Sequence, residues 1–538
     1  MTLTTTGLSS GLTGPGIHGV STGTASAVAA VFVRCTLSAW PYDWFVSGSN
    51  SDISERTNSP VPGFPDILLA LDRSGRGGLR EQLQHQLRLA IQQGRLPVAA
   101  PLPPSRTLAR ELGVARSVVV DAYEQLAAEG YLDARQGSGT RVLPTTKPVP
   151  ADPTLHAAAP HTVRLVGGLP DPALFPRAEW LRHYRWALST VPNQRLGYPG
   201  PLGEASLREA LTHYVTRVRG AVVRSDRLLI TSGLTQAIVL LCRALRKRGA
   251  EAIAIEDPGF GFHREAIANT GLRVVPIPVD DEGLDVVGLA EHDVAAVLVA
   301  PAHSYPTGAL LSPARRTALI EWAHTKDALI IEDDYDAEFR YDRAPIGALQ
   351  GLAPERVVYA GCASKTLTPA LRLGWMTLPG RIVEDVVQQK LLDDMGTTML
   401  EQIALARFID TGGLTRHLRR VRPIYRRRLG TALGALAVSM PDAVPKRVGA
   451  GLHLYLQLPD WCDELCLVDS AYKRGLVIEG ASWHWSVPRS APPALVVGYG
   501  AIDEPTIRAG LTTLASIYRE QDAHHPNRRQ KSTPVQKP

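Results

Sequence analysis

Apolar residues recur at 79, 83, 87, 90 and 91, the spacing of one buried helical face over Leu79–Ile91, and Gly94 offers a C-terminal stop. Two shorter helical segments follow, Ser105–Leu112 and Ala115–Glu129, separated by Gly113-Val114. Tyr131 to Val142 then reads as two short strands around the turn Gln136-Gly137-Ser138-Gly139. Farther along, the pattern changes. Short apolar runs at Arg227–Thr231, Ala252–Glu256, Ala295–Ala300, Ala328–Glu332 and Val357–Ala360 alternate with helical segments, which predicts a largely parallel sheet covered on both faces.

These changes of pattern divide the chain. Residues 1–66 are rich in Thr, Ser and Gly without sustained periodicity and are expected to be a disordered extension. Residues 67–142 form the small module, and residues 143–162, with five prolines, read as a semi-rigid linker. Residues 163–520 carry the strand–helix alternation, and residues 521–538, with His-His-Pro-Asn-Arg-Arg-Gln-Lys, read as a disordered, solvated tail.

Of the 538 residues, 44% are hydrophobic and 20% charged, so the bulk is expected to bury a sizeable core as a soluble protein of more than one domain. No apolar run is long enough to span a bilayer. The stretch Ala25–Val33 is short and follows no Lys or Arg, which argues against a signal peptide. Five cysteines exclude a disulfide framework, and Cys462 and Cys466 have no second pair or His cluster to complete a metal site. They read as thiols of a reducing cytoplasm. The formal net charge is +6, and residues 67–142, with ten Arg against seven acidic residues, carry half of it. A nucleic-acid reader concentrates charge this way, as do many solvated surface helices.

A helix, two helices across a tight turn, then a Gly-tipped hairpin is the order of a winged helix-turn-helix. The recognition helix would begin near Ala115, with Arg116 and Ser117 at the end that reaches the major groove. Arg106 and Arg110 on the preceding helix are placed to meet phosphates, and the wing Gln136, Gly137, Ser138 and Gly139 lacks bulk and so approaches DNA closely. A protein-docking module with exposed arginines remains the alternative. In the larger part, Tyr359 to Leu367 reads as a strand running into small residues and then Lys365, one of only nine Lys against 49 Arg. A lysine of lowered pKa forms a Schiff base with an aldehyde cofactor. Arg372 and Ser364 could hold an anionic group nearby. Ile330 to Tyr335 is a strand ending in carboxylates and a phenol, which suits a pyridine ring needing a protonated nitrogen, a metal pair, or a helix cap. Thr231 to Gln236 is a strand-to-helix turn suited to a phosphate, though such turns are common.

The run from Leu102 to Thr140 resembles the GntR-type winged helix-turn-helix almost end to end. The resemblance implies that Arg106, Arg116, Ser117 and the 136–139 wing contact DNA. Ala115 departs from the family's usual Ser or Thr, and Pro101 from a frequent basic residue. Segments 168–176, 196–203, 230–237, 256–260, 305–308, 330–339 and 363–375 resemble the fold-type I aminotransferases. Together the two halves resemble the MocR/GabR-type regulators. That resemblance implies an α/β fold class: an N-terminal winged helix-turn-helix joined to a pyridoxal 5′-phosphate (PLP)-dependent aminotransferase fold, with a large, mainly parallel sheet and a smaller C-terminal α/β subdomain.

By the same resemblance Lys365 is the Schiff-base lysine, Asp333 pairs with the pyridinium nitrogen and Tyr335 with the 3′-oxygen. Phe260 stacks on the ring, and Leu234, Thr235, Ser364 and Arg372 surround the phosphate, with Tyr198 reaching it from a partner subunit. Arg489 clamps an effector carboxylate, or is an ordinary exposed arginine. Tyr305 stands where ordinary aminotransferases place Asn. The function implied is a bacterial DNA-binding transcriptional regulator, a cytoplasmic homodimer on a double-stranded operator. It would sense PLP or an amino compound and control vitamin B6 or amine metabolism. An active aminotransferase with an accessory DNA-binding domain, and an inert docking module, are the alternatives.

Overall fold

Leu83, Leu87, Ala90 and Ile91 form the buried stripe of the first helix, α1 (Leu79–Gln92). The computed structural model describes residues 69–73, 78–135, 139–144, 163–341, 346–447, 449–488 and 491–524. The chain divides between Thr162 and Val163 into two units. In the smaller, α1 is followed by β1 (Pro101–Leu102), α2 (Ser105–Leu112), α3 (Arg116–Ala128), β2 (Leu132–Arg135) and β3 (Gly139–Val142). The strands pair antiparallel in the order β1-β3-β2. Val119, Ala122 and Leu126 of α3 share a core with Leu108 of α2 and Leu132 of β2. The winged helix-turn-helix expected from the sequence is present.

The larger unit opens with β4 (Val163–Leu165), α4 (Arg177–Thr190) and α5 (Ala205–Arg219). Next come β5 (Leu228–Thr231), α6 (Leu234–Lys247), β6 (Ala252–Asp257), α7 (Gly261–Ala268), β7 (Arg273–Asp280), β8 (Gly283–Leu284), α8 (Val286–Ala290) and β9 (Ala296–Val299). The middle holds α9 (Pro313–Thr325), β10 (Leu329–Asp334), β11 (Val357–Cys362), α10 (Ala363–Thr366), β12 (Gly374–Thr377), α11 (Val383–Asp394), α12 (Met399–Asp410) and the 27-residue α13 (Gly413–Ser439). The remainder is β13 (Val444–Lys446), β14 (His453–Gln457), α14 (Glu464–Lys473), β15 (Leu476–Gly480), β16 (Ala494–Gly498) and α15 (Glu504–His524).

Eight strands form one sheet in the order β5-β12-β11-β10-β9-β6-β7-β8. The strands from β11 to β7 run parallel, and β12 is antiparallel to both of its neighbours. Adjacent residues of β10 serve opposite faces. Ile331 packs with Ile238 and Leu241 of α6, while Ile330 packs with Leu319 and Trp322 of α9. This two-sided burial explains the continuous apolar runs that mark these strands in the sequence. A second sheet of five strands, β13-β14-β16-β15-β4, belongs to the C-terminal region. Its strand β4 lies parallel to β15, although the two are some three hundred residues apart in the chain.

Two differences from the sequence reading have physical causes. Strand β7 carries Pro276 and Pro278 within the ladder, residues that ordinarily argue against a strand. Helix α15 runs to His524, so residues 521–524 are helical rather than part of the expected tail. Buried Leu511, Leu514, Ile517 and Tyr518 hold that helix against the core.

Candidate functional site

The parallel pairing of β10 with β11 sets Asp333 opposite Ala360 and Asp334 opposite Gly361, so both strands end at one edge of the sheet. Beyond β11 the chain turns at once into α10, which carries half-buried Ser364 and Lys365. The acidic end of β10 alternates in the usual strand manner. Glu332 accepts hydrogen bonds from the backbone N–H groups of Leu349 (2.9 Å) and Gln350 (3.0 Å). Asp334 is bound by Arg219 at 2.7 Å and by the Tyr359 hydroxyl at 2.6 Å. These two carboxylates are therefore structural.

Asp333 is different. It is buried, the His263 ring nitrogen stands 3.9 Å away, and its Oδ1 has no hydrogen-bond partner among the described residues. Burial first, then the carboxylates of Asp334, Asp336 and Glu256, push its carboxyl well above the usual range, against the pull of Lys365. Unpartnered buried carboxylate oxygens are rare because nothing replaces the lost hydration. A protonated pyridine nitrogen supplies both the missing hydrogen bond and the opposite charge, so this side chain fits the cofactor expected from the sequence.

Several of the other residues expected around a cofactor are brought near one another. A Cβ placed on Gly168 would stand 3.4 Å from Lys365 Nζ, so the segment leaving β4 passes directly over the lysine. Gly233, with φ 111°, precedes α6, and a Cβ there would meet Arg372 at 3.0 Å. The positive φ disfavours any other residue where the chain enters α6, whose first residues are half-buried Leu234 and exposed Thr235, beside the Arg372 guanidinium. Free N–H groups at the start of a helix beside a guanidinium suit a phosphate. Phe260 lies edge-on to Tyr305, ring centroids 5.4 Å apart, and to His263 at 5.0 Å. Tyr335 is buried, with its hydroxyl 2.9 Å from His303 Nδ1.

Tyr198 is 84% exposed and stands apart from this cluster. Arg489 and the wing residues Gln136, Gly137 and Ser138 lie outside the described residues. Sequence reading missed Glu479, whose carboxylate is held by the Tyr305 hydroxyl at 3.2 Å and by His484 at 2.9 Å. It also missed His303, Asp336 and His453. The Tyr305 replacement was visible in the sequence, but its partner comes from β15, more than 170 positions away.

In the smaller unit, Arg106 and Arg110 of α2 and Arg116 and Ser117 of α3 are exposed, as is Gly139 of the hairpin. Ala115 precedes α3 without a side-chain cap, and Arg116 Nε lies 3.4 Å from Ser105 Oγ. The Arg73 guanidinium donates to the Gly113 carbonyl at 2.5 Å, tying the segment before α1 to the turn between α2 and α3.

Residues 79–142 match the family of bacterial regulatory proteins of the gntR type, and residues 186–417 match aminotransferase class I and II. The chain is 33% identical over 448 residues to the HTH-type pyridoxine biosynthesis transcriptional regulator PdxR of Corynebacterium glutamicum, covering 82% of this chain and 96% of that protein. The chain belongs to the MocR/PdxR-type regulators of the GntR family. Another relative is the probable rhizopine catabolism regulatory protein MocR of Rhizobium meliloti, 29% identical over 478 residues, with 84% of this chain and 96% of that one covered. Among solved structures, Pyrococcus horikoshii kynurenine aminotransferase superposes with a TM-score of 0.62 at 27% identity, covering 68% of the regulator and 92% of the enzyme. This MocR/PdxR-type chain is thus a helix-turn-helix transcriptional regulator built on an aminotransferase-like domain. Among the described residues, no helix is long and apolar enough to cross a membrane, and no three metal-ligating side chains gather.

Proposed function

We propose that this regulator binds PLP covalently through Lys365, and that the cofactor, or an amino compound reacting with it, changes how its winged helices hold operator DNA in the cytoplasm. The observation that carries the reading is the buried Asp333 carboxylate, with one oxygen unpartnered, in the cleft of Lys365. Bound PLP supplies an aldehyde carbon open to amines and a ring that withdraws electrons.

The chain's own residues do the rest. Asp333 holds a proton on the ring nitrogen, Tyr335 faces the 3′-oxygen and Phe260 covers the ring. Leu234, Thr235, Ser364 and Arg372 hold the phosphate, and Arg489 receives the carboxylate of an amino-acid effector. A homodimer completes the site, with the partner subunit's Tyr198 reaching the phosphate. Exposed Leu196, Tyr198, Leu391, Leu392 and Met395 support a covering copy. Residues 67–142 form the DNA-binding domain, joined by the 143–162 linker to the sensing domain 163–520. Arg106, Arg110, Arg116, Ser117 and the 136–139 wing meet the operator. The PdxR relative's name favours vitamin B6 synthesis as the controlled process.

A ligand shifts DNA binding only by favouring one arrangement of the protein, and a tenfold preference is about 1.4 kcal/mol. The test is borohydride reduction of the PLP-treated regulator followed by peptide mapping. A single modified residue, Lys365, absent from Lys365→Ala, is the expected result. Scattered labelling of other lysines, undiminished in Lys365→Ala, would contradict it.

A further inference from the structure

Behind the carboxyl end of β10 lies a buried chain of three side chains, Tyr335, His303 and Asp336, which are 7%, 4% and 2% exposed. Both Asp336 oxygens approach His303 Nδ1, at 3.2 and 3.0 Å, and the Tyr335 hydroxyl stands 2.9 Å from the same nitrogen. A ring nitrogen either carries a hydrogen and donates, or offers a lone pair and accepts. Two carboxylate oxygens around one nitrogen match a donated N–H, whereas a lone pair there would face theirs. With its hydrogen committed to Asp336, Nδ1 has nothing with which to accept the tyrosine's hydrogen.

We infer that Asp336 and His303 are positioning residues that keep the Tyr335 hydroxyl hydrogen free for an anionic oxygen of the ligand bound at Lys365. Asp336 fixes the imidazole in one tautomer, as a buried carboxylate does for histidine in hydrolase triads. The inference rests on the PLP reading above.

The packing supports a built arrangement. Gly451 has φ 80°, and a Cβ on it would fall 2.2 Å from His303 Cε1 and 2.9 Å from Asp336 Oδ2. Its carbonyl accepts from the hydroxyls of Tyr499 (2.6 Å) and Tyr341 (2.9 Å), which press the glycine onto the pair. Burial, then Asp336 and Asp333, hold the Tyr335 phenol well above its usual range, so it stays a donor. The other groups facing the chain are Tyr305 and Glu256 beside Tyr335, and His453, whose ring lies 5.2 Å from that of His303. Lys365 acts on Asp333 and His453.

The experiment loads the full-length regulator with PLP, maps the borohydride-reduced adduct of one portion to Lys365, and titrates the visible absorbance of an unreduced portion against pH. Tyr335→Phe is expected to raise the midpoint, because a hydrogen given to the 3′-oxygen favours its anion. Asp336→Asn is expected to shift the midpoint the same way by about one pH unit, tenfold in proton affinity. The double variant should move no further than Tyr335→Phe alone. His303→Asn, which puts an amide N–H where Nδ1–H stood, should keep the midpoint near wild type and guards against a folding artefact. An unchanged midpoint in Asp336→Asn, or additive shifts in the double variant, would overturn the positioning role. Failure to label Lys365 in the wild type would instead overturn the cofactor reading, and the positioning role with it.

Discussion

Replacing Asp334 by alanine removes the carboxylate that pairs with Arg219, a buried cation at the end of α5. The Arg219 side chain is 1% exposed and that of Asp334 is 4% exposed, and their nitrogen and oxygen atoms meet at 2.7 and 3.2 Å. The guanidinium would keep a single polar contact, the Ile346 carbonyl at 2.6 Å, and Tyr359 would lose its acceptor as well. Breaking a buried pair from one side costs about 3–5 kcal/mol, against a total stability of about 5–15 kcal/mol for a typical domain. Replacing both partners, as Arg219→Met with Asp334→Leu, leaves no orphaned charge and is expected to recover most of the loss. Urea unfolding followed by near-ultraviolet circular dichroism reads both variants, and an unchanged slope would show that stability alone changed. A loss of less than about 1 kcal/mol in Asp334→Ala, or a double replacement as damaging as the single one, would contradict a buried ion pair that stabilises this region.

Asp333→Asn is expected to weaken PLP binding by tenfold or more in equilibrium dialysis while stabilising the cofactor-free protein. Its carboxyl is raised on folding, so the folded state holds the proton longer and stability falls as pH rises above the ordinary value of 3.8. The variant should flatten that limb of an unfolding-versus-pH series. His263 carries the opposite sign. Burial, then Lys365, lowers it from 6.5 to about 4, so its contribution is present above pH 6.5 and lost as pH falls toward 4, and His263→Gln should flatten that acid limb. In the DNA-binding unit, Arg110→Ala should weaken operator and unrelated DNA alike and lower the salt slope by about one. Arg116→Ala should lose specific binding by about 1–3 kcal/mol, measured as the ratio of the two affinities.

The parts of the molecule that local sequence determines were legible in it. Helices α1 to α3 announce themselves through apolar spacing and tight turns, and the buried strands β5, β6 and β9 to β11 through short apolar runs. Lys365, Asp333 and the turn before α6 stand at strand ends, where period and composition change together. What could not be read depends on distant pairing. Strand β4 joins β15, Glu479 reaches Tyr305, and His303 meets Asp336 only after the parallel sheet has brought β9 beside β10. In β7 the prolines masked a strand that tertiary pairing imposes. Two neighbouring acids, Asp333 and Asp334, look equivalent in the sequence. Only the alternation of β10 sends one to Arg219 and leaves the other facing the cleft with an unpartnered oxygen.

Fluorescence anisotropy reads whether a ligand held by Lys365 alters DNA binding. The regulator's own upstream intergenic DNA is titrated at fixed salt, with and without PLP, by the wild type and by Lys365→Ala. A shift of about tenfold in wild-type affinity, ~1.4 kcal/mol, that disappears in Lys365→Ala is the predicted result. Superimposable wild-type curves with and without PLP, or a shift that survives in Lys365→Ala, would contradict it.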